Sequence, residues 1–197
     1  YRFGLNAFKV LGASYALATT LAKRLDREEP VSLSLFHNLE VQRQLADTTV
    51  VTATDGNHGR AVAWSAQQVG CKAVVYMPKG SSSIRLQNIR NCGADASIID
   101  GNYDVAVQLA AKKAEKNNWL LLQDTAWLGY ESVPGLIMQG YLTMFDEVFE
   151  QMGNDLPTHV FVQCGVGSFA ASLQAYLVER FGNDSPLVAV VEPFKAA

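Results

Sequence analysis

Lys9 is the first residue of the chain whose type and setting could do chemistry. It lies among apolar neighbours at the predicted start of a helix that runs to about Leu25. Desolvation and the positive end of the helix dipole both disfavour an ammonium, so we expect the pKa of Lys9 to be lowered. An amine of this kind can form a Schiff base with a carbonyl compound. The alternative is a partly buried lysine that only extends its ammonium to water.

A second candidate segment is Thr-Asp-Gly-Asn-His-Gly at residues 54–59, directly after an apolar run. The N–H groups at the start of the helix that follows are suited to binding an anion. Asp55 could act as a base, but an aspartate at this place is also a common helix N-cap. For His58 taken alone, a structural role is the expected one.

The third segment is Gly-Val-Gly-Ser at residues 165–168, again between an apolar run and a helix. Gly165 and Gly167 allow the backbone to approach a ligand closely, and Ser168 places a hydroxyl at the helix start. A turn of this type can hold a phosphate group. It would also suit a dinucleotide in a Rossmann fold, for which Glu192 is a loose match to the expected ribose ligand.

Short apolar runs alternate with amphipathic segments through most of the chain. The runs are rich in Val, Ile and Leu with little alternation, which is typical of parallel strands buried on both faces. Strands and helices that alternate at this spacing predict an α/β fold with open, mostly parallel sheets flanked by helices. The predicted strands are Val50–Ala53, Ala73–Met77, Ala96–Ile99, Trp119–Gln123, Thr158–Gln163 and Leu187–Val191.

Two segments interrupt the alternation. Arg27–Leu45 is polar and irregular, and Trp127–Gly135 carries Gly and Pro residues typical of a boundary. We therefore expect two lobes with a ligand-binding cleft between them, with residues 48–128 in one lobe and residues 1–47 and 129–197 in the other. Besides the helix of Lys9, the predicted helices are Gly59–Val69, Ser83–Asn91, Tyr103–Lys116, Leu136–Gln151 and Phe169–Arg180.

Composition excludes several classes of protein. Of the 197 residues, 49% are hydrophobic and 18% are charged, which is not the composition of a disordered chain. A net charge of −3 argues against a strongly basic nucleic-acid binder, and the longest apolar runs are too short for a membrane span. The three cysteines and three histidines show no metal-ligand spacing. We expect Cys71, Cys92 and Cys164 to be reduced core residues, and no metal site.

Taken together, these segments resemble the diaminopropionate ammonia-lyases, which are pyridoxal-phosphate enzymes of the tryptophan-synthase-β-like, or fold type II, superfamily. The motifs around Lys9 and Asn57 are shared with threonine and serine dehydratases, whereas Asp55 together with Gln-Asp-Thr-Ala-Trp favours the diaminopropionate branch. The resemblance covers nearly the whole chain and is carried by Asn-Ala-Phe-Lys at 6–9, Asp-Gly-Asn-His-Gly-Arg at 55–60, Gln-Asp-Thr-Ala-Trp at 123–127, Gly-Val-Gly at 165–167 and Val-Glu-Pro at 191–193.

The resemblance implies a two-lobed architecture and pyridoxal 5'-phosphate as the cofactor. Lys9, preceded by Phe8, matches the lysine that holds the cofactor as a Schiff base and later acts as a base on the substrate. Asn57 matches the asparagine that hydrogen-bonds the hydroxyl of the cofactor ring. The turn that holds the phosphate is matched by Gly165, Val166, Gly167 and Ser168.

The resemblance also assigns residues to the substrate. Thr54, Asp55 and Gly56 match the loop that faces it, where dehydratases usually carry a small hydroxyl residue in place of the aspartate. We expect Lys9 to take the α-proton of the L-isomer and Asp55, on the other face of the cofactor, that of the D-isomer. Asp124 matches a second acidic position at the mouth of the site, but it could instead end a strand or cap a helix.

The implied reaction is elimination of ammonia from D- and L-2,3-diaminopropionate, giving pyruvate and ammonia. The alternatives are another fold type II enzyme, such as a threonine/serine dehydratase or a cysteine-synthase-like enzyme, and a non-catalytic Rossmann-like ligand- or dinucleotide-binding module. A small amino-acid substrate, a homodimer and a cytoplasmic location are also implied, with no nucleic-acid or membrane partner. Because Lys9 lies near one end and the phosphate turn near the other, we expect the chain to be part of an enzyme about twice as long.

Overall fold

The computed structural model describes residues 2–27, 32–153 and 155–194. The strands are β1 (Thr49–Ala53), β2 (Lys72–Met77), β3 (Asp95–Ile98), β4 (Leu120–Leu121), β5 (His159–Gln163) and β6 (Leu187–Val191). The α-helices are α1 (Lys9–Arg24), α2 (Leu33–Phe36), α3 (Leu39–Leu45), α4 (Asn57–Val69), α5 (Ser83–Arg90), α6 (Tyr103–Asn117), α7 (Ser132–Met152) and α8 (Ser168–Phe181). None of these helices is long and apolar enough to cross a membrane.

The first four strands form one parallel sheet in the order β3-β2-β1-β4. The chain builds outward from β1 to β3 and then crosses to the other side of β1, where β4 pairs Leu120 with Val50. The order of the strands therefore reverses between β1 and β4. In open α/β sheets, ligands bind in the crevice at the carboxyl ends of the strands at such a reversal.

Apolar side chains alternate between the two faces of this sheet. Val50 and Val75 point toward the main core, which also contains Val62 of α4. Val51 and Ala53 point to the opposite face, where they pack with small alanines of α6. Helices thus cover both faces, and the prediction of an α/β fold with parallel strands is confirmed for this sheet, in which β1 is buried on both faces and the edge strand β3 is partly exposed.

Strands β5 and β6 form a second parallel sheet, for which the expectation of burial on both faces is wrong. Val162 lies in the core, where it packs with residues of α8 such as Leu173. Phe161, on the opposite face, is 73% exposed, and Val190 and Val191 are also exposed. The described helices cover only part of one face of this sheet, since Val190, which pairs with buried Val162, is exposed, although the strands have the apolar composition of fully buried ones.

The strand predicted over Trp119–Gln123 is shorter, because a side chain replaces the backbone ladder at its end. Leu122 N still donates to Val51 O, but Ala53 N donates to the side-chain Oε1 of Gln123 at 2.9 Å. The phenolic oxygen of Tyr130 accepts from Gln123 N at 3.0 Å. The chain therefore leaves the sheet at Gln123, which directs the next residue into the crevice.

Two further predictions need correction. The segment Trp127–Gly135 is not wholly a boundary, because α7 begins at Ser132, four residues before the predicted Leu136. Pro134 is accommodated there, since N–H groups in the first turn of a helix have no intrahelical acceptor. Within Arg27–Leu45 the structure contains α2 and α3, while residues 28–31 lie outside the described residues. The division into lobes at residues 47/48 and 128/129 stays a prediction.

The cysteines are less uniformly buried than expected. Cys92 is buried, whereas Cys71 and Cys164 are half-buried, and all three thiols are free. Burial raises the pKa of Cys71 to about 11, so its thiol stays protonated at neutral pH.

Helix α1, which begins with Lys9, is held between α4 and α7. Its crossing with α7 is unusually close at Gly12 and Gly140. A methyl group on Gly12 would lie 2.6 Å from the ring of Tyr141, and one on Gly140 would lie 2.5 Å from the carbonyl oxygen of Leu11. The close crossing fixes the position of α1, and hence of Lys9, relative to the rest of the core.

We predict that Gly140→Ala destabilises the protein by about 1–3 kcal/mol, because its methyl group meets backbone atoms that cannot easily move. Gly135→Ala is the matched control in the same helix, since a methyl group there has no atom within 4 Å. It should be neutral or stabilising by up to about 1 kcal/mol through helix propensity. Urea unfolding measures both changes. Equal effects of the two substitutions would contradict the close crossing.

Candidate active site

Residues from all three candidate segments line one cavity of about 430 Å³ at the carboxyl ends of β1 and β4. This volume is within the range of about 300–1,000 Å³ that is common for small-molecule sites. The cavity lies at the reversal of strand order, where the topology places a ligand. Its lining residues are Lys9, Thr54, Asp55, Gly56, Asn57, His58, Arg85, Tyr103, Asp124, Gly165 and Val166.

Lys9 and Asp124 form an ion pair in this cavity, with 2.5 Å between Nζ and Oδ2. The Lys9 side chain is 28% exposed and that of Asp124 only 3%. Lys9 thus opens α1 as predicted, but its amine has a counter-charge that the sequence did not reveal. An amine held inside a cavity by a buried carboxylate differs from a lysine that extends its ammonium to water, so that alternative is not what the structure shows.

Gln123 positions Asp124. Its amide is fully buried, and its Oε1 accepts from Thr52 Oγ1 at 3.0 Å and from Ala53 N at 2.9 Å. Its Nε2 donates to Asp124 Oδ1 at 3.3 Å and to the Tyr103 hydroxyl at 2.9 Å. Asp124 is therefore a buried, oriented carboxylate and not the helix cap that the sequence left open.

The electrostatics of the site centre on Asp124. Burial by itself would raise the pKa of this carboxyl, but the imidazole of His58, whenever it is protonated, and the charge and hydrogen bond of Lys9 hold it below its ordinary value. Tyr103 shows the opposite effect, because burial and the nearby charge of Asp124 raise its pKa to about 12. At neutral pH the site thus contains an ionised carboxylate beside a neutral phenol.

The loop after β1 presents Asp55 without using it as a cap. Gly56 N donates to the side-chain oxygen of Thr54 at 3.0 Å, and α4 is capped by Gly56 itself. Arg85 contributes by donating from Nη1 to the backbone oxygen of Asp55 at 3.1 Å. The Asp55 carboxylate lines the cavity, is exposed and has no ion-pair partner within the described part of the chain. The N-cap interpretation of Asp55 is therefore wrong.

Asn57 and the turn at residues 165–168 complete the wall of the cavity. Asn57 is the first residue of α4, and its exposed side chain lines the cavity. Gly165 and Val166 face the same space, whereas Gly167 and Ser168 begin α8. Gly167 has a φ of +90°, which glycine adopts without strain. The turn thus directs the N-terminus of α8 toward the cavity end of β5.

Phe8 lies away from the open part of the cavity. Its ring packs against Phe169 of α8 at 4.4 Å and against Tyr141 of α7 at 5.4 Å between ring centroids. This cluster joins the start of α1, which carries Lys9, to the start of α8. A contact between Phe8 and a cofactor stays a prediction.

Three residues of the cavity were not assigned to it from the sequence: His58, Arg85 and Tyr103. His58 is buried and donates from Nε2 to the carbonyl oxygen of Leu122 at 2.8 Å. Arg85 lies on α5 and Tyr103 opens α6, so each follows a strand of the parallel sheet. The signal that could have found these two is their place after the carboxyl ends of β2 and β3, which meet at one edge of the sheet.

Comparison with known proteins now defines the class. Residues 4–197 match the family model described as "Pyridoxal-phosphate dependent enzyme". The chain therefore belongs to the family of pyridoxal-phosphate dependent enzymes, and its fold is that of fold type II. This result disfavours the Rossmann-like binding module as the alternative class.

The chain is more similar to a diaminopropionate ammonia-lyase than to a threonine dehydratase. The chain is 52% identical over 200 residues to diaminopropionate ammonia-lyase of Salmonella typhimurium, covering 100% of this chain and 50% of that protein. A crystal structure of diaminopropionate ammonia-lyase from Escherichia coli in complex with D-serine superposes with a TM-score of 0.89 at 44% identity, covering 98% of this chain and 49% of that one. Threonine dehydratase 1 of Solanum lycopersicum is only 28% identical, over 80% of this chain and 24% of its own length. The chain thus spans about half the length of the ammonia-lyases it matches.

The residues of the cavity fit the cofactor of this family. A methyl group on Gly165 or Gly167 would meet no atom within 4 Å, so the turn opens onto free space beside the N-terminus of α8. Free N–H groups at a helix N-terminus are suited to a phosphate. Lys9 supplies an amine in the same cavity, and Asn57 supplies an amide.

We predict that Asp124→Asn destabilises the protein by about 1.5–3 kcal/mol at pH 7, because it leaves the Lys9 ammonium without its charged partner. The lowered pKa of Asp124 means that its contribution is present above its ordinary pKa of 3.8 and is lost as the pH falls through the lower value of the folded state. The difference between the wild-type protein and the variant should therefore shrink in acid. Unfolding curves at several pH values measure this.

The control is Asp47→Asn, which removes the acid from the exposed ion pair with Lys72. Asp47 is fully exposed, so no measurable change is expected at any pH. A difference between wild type and Asp124→Asn that stays constant from neutral to acid pH would contradict the prediction.

Proposed function

We propose that this chain forms the lysine and phosphate side of an enzyme that eliminates ammonia from D- and L-2,3-diaminopropionate, giving pyruvate and ammonia. The observation that carries the proposal is that one amine, Lys9, and two carboxylates, Asp55 and Asp124, line a single cavity. The likeness to diaminopropionate ammonia-lyases over the whole chain supports it.

We propose that Lys9 binds the cofactor covalently, that Asn57 contacts its ring hydroxyl, and that the turn at residues 165–168 binds its phosphate. When bound, pyridoxal 5'-phosphate withdraws electrons from the α-carbon of an amino acid, so that the α-proton becomes acidic. The protein then has to orient the substrate and provide a base at that carbon. Three of the groups that line the cavity are proposed to accept or hold a proton there: Lys9, Asp55 and Asp124.

Lys9 and Asp55 are proposed as the two bases, acting on opposite enantiomers. Lys9 opens α1, whereas Asp55 lies in the loop between β1 and α4, so the two groups reach the cavity from different elements. Asp55 has no cation partner among the described residues and is exposed in the cavity, so its carboxylate is available to a proton or to the second ammonium of the substrate. Thr54 holds the loop in place through its bond with Gly56.

Asp124 is proposed to act on Lys9. Its buried carboxylate holds the ammonium through the 2.5 Å contact and can receive a proton from it. Gln123 fixes the other carboxylate oxygen, so that Oδ2 stays directed at Lys9. A base on a flexible side chain is more effective when such a partner orients it.

The acidic residue in the substrate loop is what favours this reaction over a dehydratase. The leaving group of diaminopropionate is an amine that is positively charged at neutral pH, and a carboxylate such as Asp55 is complementary to that charge. The dehydratase substrates serine and threonine have a neutral hydroxyl as the leaving group.

Pyruvate release from D-diaminopropionate, L-diaminopropionate and L-serine by the cofactor-loaded protein tests the proposal. We expect faster release from both isomers of diaminopropionate than from serine. In Asp55→Asn, kcat/KM for the D-isomer should fall about 100-fold or more, because a general base typically contributes that much. The L-isomer should lose far less, since Lys9 is its base.

The control is Asp100→Asn, which removes an exposed acid paired with Lys79 outside the cavity, and both isomers should react as in the wild type. Equal losses for the two isomers in Asp55→Asn would refute the two-base assignment. Release of pyruvate from serine much faster than from either isomer would overturn the substrate.

The assembly and location of the enzyme belong to the same proposal. We infer a homodimer in the cytoplasm from the resemblance to the ammonia-lyases alone. Analytical ultracentrifugation of the protein tests the dimer, and a monomer at micromolar concentration would count against it.

A further inference from the structure

The imidazole of His58 lies in the wall of the cavity and is 3% exposed. Its Nε2 is 2.8 Å from the carbonyl oxygen of Leu122, at the end of β4. Because a carbonyl oxygen only accepts hydrogen bonds, Nε2 must carry a proton and donate it. In a neutral ring, the other nitrogen, Nδ1, is then a bare acceptor.

Nδ1 of His58 is buried and has no hydrogen-bond partner among the described residues. It lies 3.7 Å from Oδ2 of Asp124, the oxygen that accepts the hydrogen bond of Lys9. A buried nitrogen without a partner is uncommon and calls for an explanation. Oδ2 of Asp124 therefore lies between the ammonium of Lys9 and an imidazole nitrogen that carries no proton.

The charges around His58 keep the ring neutral while Lys9 is an ammonium. Burial, the largest effect, lowers the pKa of His58, the carboxylate of Asp124 opposes it, and the Lys9 ammonium adds to the lowering. Tyr103 of α6 and Tyr141 of α7 also face Asp124, and burial raises the pKa of both phenols, so that they stay neutral. The three groups Lys9, Asp124 and His58 then carry no net charge.

We propose that His58 takes up the proton that Lys9 releases when its amine becomes neutral, with Asp124 as the carrier between them. An N–H bond of Lys9 breaks as an O–H bond forms at Oδ2 of Asp124. That O–H bond then breaks as an N–H bond forms at Nδ1 of His58. Ammonium, carboxylate and imidazole become amine, carboxylate and imidazolium, so the net charge is unchanged.

After the proton transfer, more of the buried polar atoms have a hydrogen-bond partner than before it. Protonated Nδ1 gains an acceptor in Asp124, while Nε2 keeps the carbonyl of Leu122, so that neither ring nitrogen lacks a partner. For this hydrogen bond to form, the 3.7 Å separation between Nδ1 and Oδ2 has to shorten to about 3 Å. The proton thus stays inside the site instead of entering the solvent.

The inference rests on the proposed function, because only an amine that joins the cofactor needs to become neutral. Its test, however, needs no cofactor. The Lys9→Met and Lys9→Gln variants both remove the ammonium permanently and keep a side chain of similar length. Asp124 then needs another cation, and His58 should become doubly protonated.

NMR of protein with ¹⁵N-labelled histidine reads the state of each ring nitrogen directly. The His58 signals are assigned by their loss in His58→Gln, and exposed His37 and His159 serve as internal references. In the wild type at pH 7 we expect a neutral His58 with its proton on Nε2. In either Lys9 variant we expect protons on both nitrogens, and the neutral ring should return in Lys9→Met with Asp124→Asn.

The control is Lys23→Met, which removes an exposed lysine from the same helix and should leave His58 neutral. A neutral His58 in both folded Lys9 variants would place the proton on Asp124 and overturn the proposal. A doubly protonated His58 in the wild type would overturn it as well, because no acceptor would then remain. Failure of the proposed function would appear instead as absence of turnover in the loaded wild type, which does not affect the NMR result.

Discussion

The ion pair between Lys9 and Asp124 is the interaction on which the rest of the site depends. A carboxylate that is only 3% exposed needs a nearby positive charge, since an unpaired buried charge is strongly destabilising. Lys9 supplies that charge from α1, a different part of the chain from the strand end that carries Asp124. The start of α1 is therefore tied to the carboxyl end of β4, and the close packing of Gly12 against α7 holds the helix in that position.

The strand order explains why this pair lies beside open space. Because β4 joins the sheet on the other side of β1, the strand order reverses there, and residues that follow β1 and β4 line the cavity. Gln123 lies just after β4, directly before Asp124. Its amide replaces the backbone partner of Ala53 and also donates to the carboxylate of Asp124. The same side chain therefore ends the strand and orients the carboxylate.

Much of the fold follows from the sequence, because the apolar runs of β1, β2 and β6 and the amphipathic helices are local signals. The exposed face of β5 does not follow, since Phe161 has the same composition signal whether or not a layer covers it. At the site, Lys9 and Asp55 could be named from their motifs, whereas the partnership of Lys9 with Asp124 joins residues 115 positions apart and needs the fold. Tyr103 and Arg85 are missed for the same reason, because only the parallel sheet brings the residues after β2 and β3 to one edge.

Lys9 is proposed as the amine that binds the cofactor in this site. The most direct measurement is borohydride reduction of the protein mixed with pyridoxal 5'-phosphate, followed by peptide mapping with mass spectrometry. We predict that the reduced cofactor is attached to Lys9, the lysine that lines the cavity with the phosphate turn. Attachment spread over exposed lysines such as Lys23 and Lys72, with Lys9 unmodified, would contradict the account.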